Sequence, residues 1–372
     1  MHPQWAGLIR FDRLAGRPVC TKVPPCGGDS GPWTDAGDAR LAGWLQATHG
    51  LNLSALKVNA AVNFLAEQNA YHPVIDYLGT LSWDGVDRLD SWLIDLAGAP
   101  DNAYVRAVSA KTLIGAVARV HQPGCKFDTA LCLEGAQGVG KSSLFRALIE
   151  DPAWFAEDLG APIGQKDALV GLSGKWIIEL AEIAAMKKST AEDVKSFLSR
   201  CIDSYRSPYG RRQGDYPRQC IFVGTLNPGA DGAWLSDTTG GRRFWPVKVA
   251  RCDARAVAAV RDQLWAEAAH RYRAGEPYFL SPELEAMAAA EQLERLEDNP
   301  WSHTMDGYIK AHPHERQISL SAAFEWAQHH SAQSARELRP LAQALRDRGW
   351  TEHRIGTKPR LRIWRALEEP PI

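Results

Sequence analysis

The run Gly135-Ala136-Gln137-Gly138-Val139-Gly140-Lys141-Ser142 has the residue types and spacing to hold a chain of phosphates. Its glycines let backbone N–H groups wrap phosphate oxygens. Lys141 places a point charge at the β- and γ-phosphates, and Ser142 offers an oxygen ligand to Mg²⁺. Ser143 follows and opens a helix-like run to Ile149, so a helix dipole also points at the anion. Ahead of the loop, Leu131-Cys132-Leu133 reads as a buried strand. Strand, glycine loop and helix in that order are what a nucleotide cradle requires, and residues Gly135 to Ser143 are the expected nucleotide contacts.

A cradle alone does not hydrolyse anything, so acids, a polar sensor and an arginine must fall near it. Trp176-Ile177-Ile178-Glu179-Leu180-Ala181-Glu182 is an apolar strand ending in acids, suited to holding the Mg²⁺ shell and polarising an attacking water. Residues three apart on a regular strand face opposite ways, so only one of Glu179 and Glu182 faces the nucleotide from the strand itself. Ile221 to Leu226 is a second apolar strand, delivering Asn227 where an amide could orient water against the γ-phosphate. Further on, Gly241-Arg242-Arg243-Phe244-Trp245 sets two arginines on a glycine hinge before another strand. Either arginine could stabilise transition-state charge at a neighbouring subunit's nucleotide.

These motifs need a frame, and the chain supplies one. At 372 residues it is long enough for two or three domains. Residues 1–36 lack periodicity and read as an irregular arm, and 37–122 carry helical spacing, with Leu41, Trp44, Leu45, Val58, Val62 and Leu65 among the apolar positions. Residues 123–298 alternate short apolar strands with helical runs, the pattern of an α/β sheet with crossover helices. After Asn299-Pro300, residues 299–372 give two helical segments and a hairpin from Trp350 to Trp364, an order compatible with a winged helix. Between Arg336 and Arg365 that last part has a local excess of six positive charges.

Composition narrows the function classes. A net charge of −1 argues against coating nucleic acid with the whole surface, although the basic tail could touch phosphates. No stretch reaches the roughly 18 apolar residues of a membrane span, and the N-terminus has no signal-peptide pattern, so a cytoplasmic site without membrane contact is expected. The seven cysteines form no CxxC pair and read as reduced thiols, while the histidines beyond residue 300 have no framing carboxylates and read as surface groups.

At this point the chain resembles the virulence-associated protein E family, P-loop proteins of prophages and other mobile elements related to superfamily 3 helicases. The resemblance runs through Tyr71-His72-Pro73, Trp83-Asp84-Gly85-Val86-Asp87-Arg88-Leu89, the glycine loop, Glu179-Leu180-Ala181-Glu182, Val194-Lys195-Ser196-Phe197, Asp203-Ser204-Tyr205-Arg206, Gly224-Thr225-Leu226-Asn227 and Gly241 to Pro246. It implies that Glu182 is the catalytic carboxylate with Glu179 in support, because Lys195 stands thirteen residues after Glu182. It further implies that Asn227 is a sensor, that Arg242 or Arg243 acts across a subunit interface, and that Tyr205 to Arg218 forms a channel hairpin with its tip at Arg211-Arg212. Lys195, Arg206, Arg211 and Arg212 are then the DNA contacts.

The expected protein is therefore an α/β P-loop NTPase of AAA+/superfamily 3 helicase type, with helical and winged-helix-like flanks. It would use ATP and Mg²⁺ as a ring, hexameric by the resemblance, on single-stranded or forked DNA. No primase acids can be assigned, so a separate primase or host replication proteins are expected as further partners. Two other readings stay open: a nucleotide-switched initiator or helicase loader that does not unwind DNA, and a phosphotransferase needing neither DNA nor an oligomer.

Overall fold

Helix starts are encoded locally, by short polar side chains. Thr34 caps α1 (Asp35–His49), Ser54 caps α2 (Ala55–Gln68) and His72 caps α3 (Pro73–Thr80), each accepting from a backbone N–H of the first turn. Such a cap stabilises a helix by about 1 kcal/mol. Pro73 suits the first helical position, where its missing N–H would have no partner in any case. α4 (Trp92–Ala97) stops at Gly98 in the left-handed region, and α5 (Ala103–His121), capped by Asn102, is buried along most of its length.

The computed structural model describes residues 3–163, 165–181, 194–206, 213–227, 233–235, 241–296, 302–330, 338–346, 348–355 and 361–366. It divides into two compact units, Met1–Leu296 and Glu297–Ile372. The expected irregular arm is instead a small antiparallel sheet of β1 (Ile9–Asp12), β2 (Arg17–Cys20) and β3 (Gly31–Pro32). Trp5, Leu8, Ile9 and Cys20 close a core with Leu41 of α1 and Val58, Val62 and Ala66 of α2. Strands of four residues or fewer are too short to display a period of two.

The chain continues through β4 (Ala130–Glu134), α6 (Lys141–Ala147), β5 (Phe155–Ala156), α7 (Lys166–Gly171), β6 (Ile177–Ala181), the hairpin of β7 (Ile202–Tyr205) and β8 (Gly214–Pro217), β9 (Ile221–Leu226), β10 (Phe244–Lys248), α8 (Ala254–Arg273) and α9 (Pro282–Leu293). Five of these strands form one sheet in the order β10-β4-β9-β6-β5, every pair parallel. Every residue of β4 and β9 is buried, as both faces of a parallel sheet are covered. Leu131, Leu133, Ile177 and Val223 join α5 and α8 in one core, while Cys132, Ile178, Leu180 and Phe222 meet Leu169, Val194 and Phe197 in the other.

Trp176, just before β6, packs on Trp265 of α8 with ring centroids 4.1 Å apart and donates from Nε1 to Ala116 O at 2.9 Å. It thereby ties the sheet to both covering helices. Gly115 of α5 lies flat against the Phe127 ring, and a methyl group there would overlap that ring. Gly115→Ala is accordingly expected to destabilise the protein by about 1–2 kcal/mol, overpacking outweighing the helix-propensity gain. A lower urea midpoint at unchanged slope would show it; an unchanged midpoint would mean the ring moves aside freely.

The second unit contains α10 (Ser302–Ala311), β11 (Gln317–Ser319), α11 (Leu320–His330), α12 (Leu338–Arg346), β12 (Trp350–Ile355) and β13 (Leu361–Ala366). Its antiparallel sheet has the order β11-β13-β12, and the hairpin expected from Trp350 to Trp364 is the β12–β13 pair. Met305, Tyr308, Leu341, Leu345, Trp350 and Trp364 form its core. Among the described residues no helix is long and apolar enough to cross a membrane. All seven cysteines are free, and no His, Cys, Asp and Glu cluster with metal-ligand geometry occurs among the described residues.

Candidate functional site

β4 ends in Glu134, whose Oε1 accepts from Trp234 Nε1 and from Arg295 Nε, each at 2.6 Å. This buried ion pair fixes the strand end from which the glycine loop departs. The loop then threads past the segment after β10. A Cβ on Gly135 would stand 2.7 Å from Val249 O, and Gly140 has a φ of 95° with Cys252 O 3.1 Å from where its Cβ would be. Only glycine allows the backbone that close approach and that left-handed turn.

α6 begins at Lys141. Its Nζ donates to Gly135 O at 2.8 Å, to Ala136 O at 2.9 Å and to Asn227 Oδ1 at 2.8 Å. Burial is the largest influence on this ammonium and lowers its pKa, with Cys252 and Glu179 acting in the opposite direction. Ala136, Gln137, Gly138, Ser142 and Ser143 are exposed around it, with Val139 and Gly140 partly so. The loop's open face is therefore accessible, while its lysine folds back on neutral acceptors.

Glu179 lies on β6, two strands from β4, and is 2% exposed. Its Oε1 accepts from Ser142 Oγ and Thr225 Oγ1, both at 2.6 Å, whereas Oε2 is buried with no hydrogen-bond partner among the described residues. A buried carboxylate oxygen left unpaired is costly unless a cation or donor meets it. A serine hydroxyl and a carboxylate are oxygen donors of the kind a hard divalent cation takes, so these residues fit Mg²⁺. The strand ends thus bring together Lys141, Ser142, Glu179 and Asn227. Thr225 joins them unforeseen; its signal was its place two residues before Asn227 on a buried strand.

The arginines stand elsewhere. β10 is parallel to β4 with Phe244 beside Ala130 and Lys248 beside Glu134, so Arg242 and Arg243 lie at the edge where β4 begins. The five-residue strand between that edge and the loop spans roughly 17 Å at about 3.3 Å per residue. One arginine side chain does not bridge such a gap. Arg242 is exposed and has no hydrogen bond or ion pair with a described residue, whereas Arg243 donates from Nε to Ser199 Oγ at 2.7 Å.

The same edge carries the β7–β8 hairpin, which leads through Arg218 into β9. Tyr205 and Tyr216 stack across it with centroids 4.3 Å apart. Its base is locked by buried Arg218, which pairs with Asp203 at 2.5 Å and 2.9 Å, donates to Phe197 O and lies 4.3 Å over the Phe197 ring. Arg206 is exposed at the end of β7. Lys195 is only 8% exposed in this single chain. Glu182, Arg211 and Arg212 lie outside the described residues.

The family model of the virulence-associated protein E-like domain matches residues 78–297. Solved structures to which the chain is similar include the apo structure of the NrS-1 C-terminal region, at 11% identity over 96% of this chain and 95% of that one with a TM-score of 0.49. Another is the A form of the apo NrS-1 C-terminal region, at 11% identity over 96% of each chain with a TM-score of 0.47. No curated protein matches the sequence.

Proposed function

The chain belongs to the virulence-associated protein E-like family, and on that premise we propose that it is a P-loop ATPase that assembles as a ring and moves along DNA during replication of a phage or other mobile element. The observation that carries this reading is the division of labour between the two edges of one sheet. Lys141, Ser142, Glu179 and Asn227 meet at the carboxyl ends of the strands, and Arg242 projects from the opposite edge. An arginine unable to reach its own chain's loop can reach that of a second copy. Contact between unlike faces of identical subunits is heterologous, and it closes into a ring when the rotation permits.

Within this reading Lys141 exchanges its carbonyl and amide acceptors for phosphate oxygens, replacing neutral acceptors with charged ones. Ser142 and Glu179 would hold Mg²⁺, and Glu182, outside the described residues, is the carboxylate to which the resemblance gives the polarising of water. When bound, the ion neutralises charge on the β- and γ-phosphate oxygens. Asn227 orients the attacking water once Lys141 releases its amide. Arg206, exposed at the end of β7, is the described DNA contact of the hairpin; Arg211, Arg212 and Lys195 are further contacts that the resemblance implies, in a ring that it makes a hexamer.

The helix and strand order of the second unit, α10-β11-α11-α12-β12-β13, is compatible with the winged helix we propose for it, and its basic excess suits phosphate contact. This observation favours a second reading, an initiator or loader that binds ATP and DNA without separating strands, acting beside a separate primase or host replication proteins. Mg²⁺-ATP hydrolysis measured with and without single-stranded DNA, together with the mass in solution, tests the ring motor. Turnover that rises with DNA and occurs only in an oligomer is expected. DNA-independent turnover by a monomer would sink the reading, and DNA-stimulated turnover without unwinding would favour the loader.

A further inference from the structure

The short helical segment 194–198, with Ser199 at its end, touches both halves of the proposed motor at its DNA-facing edge. Phe197 O accepts from the Arg218 guanidinium, which also pairs with Asp203 and thereby holds both strands of the β7–β8 hairpin at their base. Two residues on, Ser199 Oγ accepts from Arg243 Nε at 2.7 Å and donates to Lys195 O at 2.9 Å. Arg243 O in turn accepts from Ala130 N, fixing the turn to the start of β4. The exposed Arg242 is the next residue in that turn. Hairpin base and arginine turn therefore share a support only a few residues long, through two hydrogen bonds from guanidinium groups, which are stronger than neutral ones.

We propose that the Arg243–Ser199 hydrogen bond couples nucleic acid on the β7–β8 hairpin to the arginine turn serving a neighbouring copy, with Ser199 as a positioning residue. The inference rests on the ring-motor reading and extends it. A strand of DNA pulling on the hairpin displaces Arg218 and with it Phe197, and the connected Ser199 moves Arg243 and the adjacent Arg242 relative to the next subunit's nucleotide. Arg243 thereby acts as the tie and Arg242 as the reaching group. Ser199 touches neither nucleotide nor DNA in this arrangement, so its loss should separate coupling from both.

Ser199→Ala removes the acceptor at little cost to folding, because the side chain is small and only half-buried. The ratio of DNA-stimulated to basal ATP turnover is expected to fall by about fivefold or more, the range of an ordinary coupling energy. Basal turnover and single-stranded DNA affinity, read by fluorescence anisotropy, should stay at wild-type values. Ser199→Thr, which restores the hydroxyl, should recover the stimulation. Unchanged stimulation in Ser199→Ala overturns the proposal, as does a loss that merely follows weaker DNA binding or a collapse of basal turnover. A wild-type protein whose hydrolysis ignores DNA overturns the ring-motor reading instead, and the coupling falls with it.

Discussion

Lys141→Ala is expected to remove ATP turnover almost entirely, lowering kcat/KM by at least about 100-fold, or roughly 3 kcal/mol of transition-state stabilisation. Lys141 is the single cation the loop can offer to the β- and γ-phosphates. It is already gathered by Gly135 O, Ala136 O and Asn227 Oδ1 at the spot where those phosphates would arrive. Burial lowers its pKa, so the charged form is held there against desolvation, and removing the amine relieves that penalty while freeing three acceptors. The two effects oppose each other, and the fold should survive. Phosphate release measured beside a thermal midpoint separates the outcomes: lost turnover at a normal midpoint supports the assignment, and retention of more than about a tenth of wild-type activity would remove Lys141 from the reaction.

How much of this site was legible in the sequence depended on how local each feature is. The glycine loop and the strand before it lie within one short run, and the structure keeps them in that order. Glu179 was legible as an acid on a strand. Which way it faces was not, because that depends on β6 and β9 pairing so that Ala181 stands beside Thr225. The same holds for the Glu134–Arg295 and Asp203–Arg218 pairs, whose partners are 161 and 15 residues apart and leave no spacing signal. The N-terminal sheet departs from the irregular arm expected of residues 1–36 because its strands are too short for periodicity. The burial of Lys195 in the single chain was likewise not legible, since burial is a property of packing that an interval cannot reveal.

Separating the two arginines follows from the same reasoning, and it gives a large expected effect. Arg242→Ala should lower kcat by about 10³-fold or more, the contribution of an arginine supplied across an interface, while leaving nucleotide affinity close to wild type. Arg243→Ala should cost basal turnover about tenfold or less, because that guanidinium is committed to Ser199 within its own chain. The decisive measurement is a mixture. In a ring, an Arg242→Ala subunit retains an intact loop, and a Lys141→Ala subunit retains an intact Arg242. Where the second stands beside the first, one complete site forms. Mixing two nearly inactive proteins should therefore restore a measurable fraction of turnover, rising and then falling with the ratio of the two. If no ratio restores activity although mixed oligomers form, Arg242 acts within its own chain or not at all, and the spacing across β4 would have to be closed by a rearrangement of the sheet edge that the parallel register of β10 and β4 does not suggest.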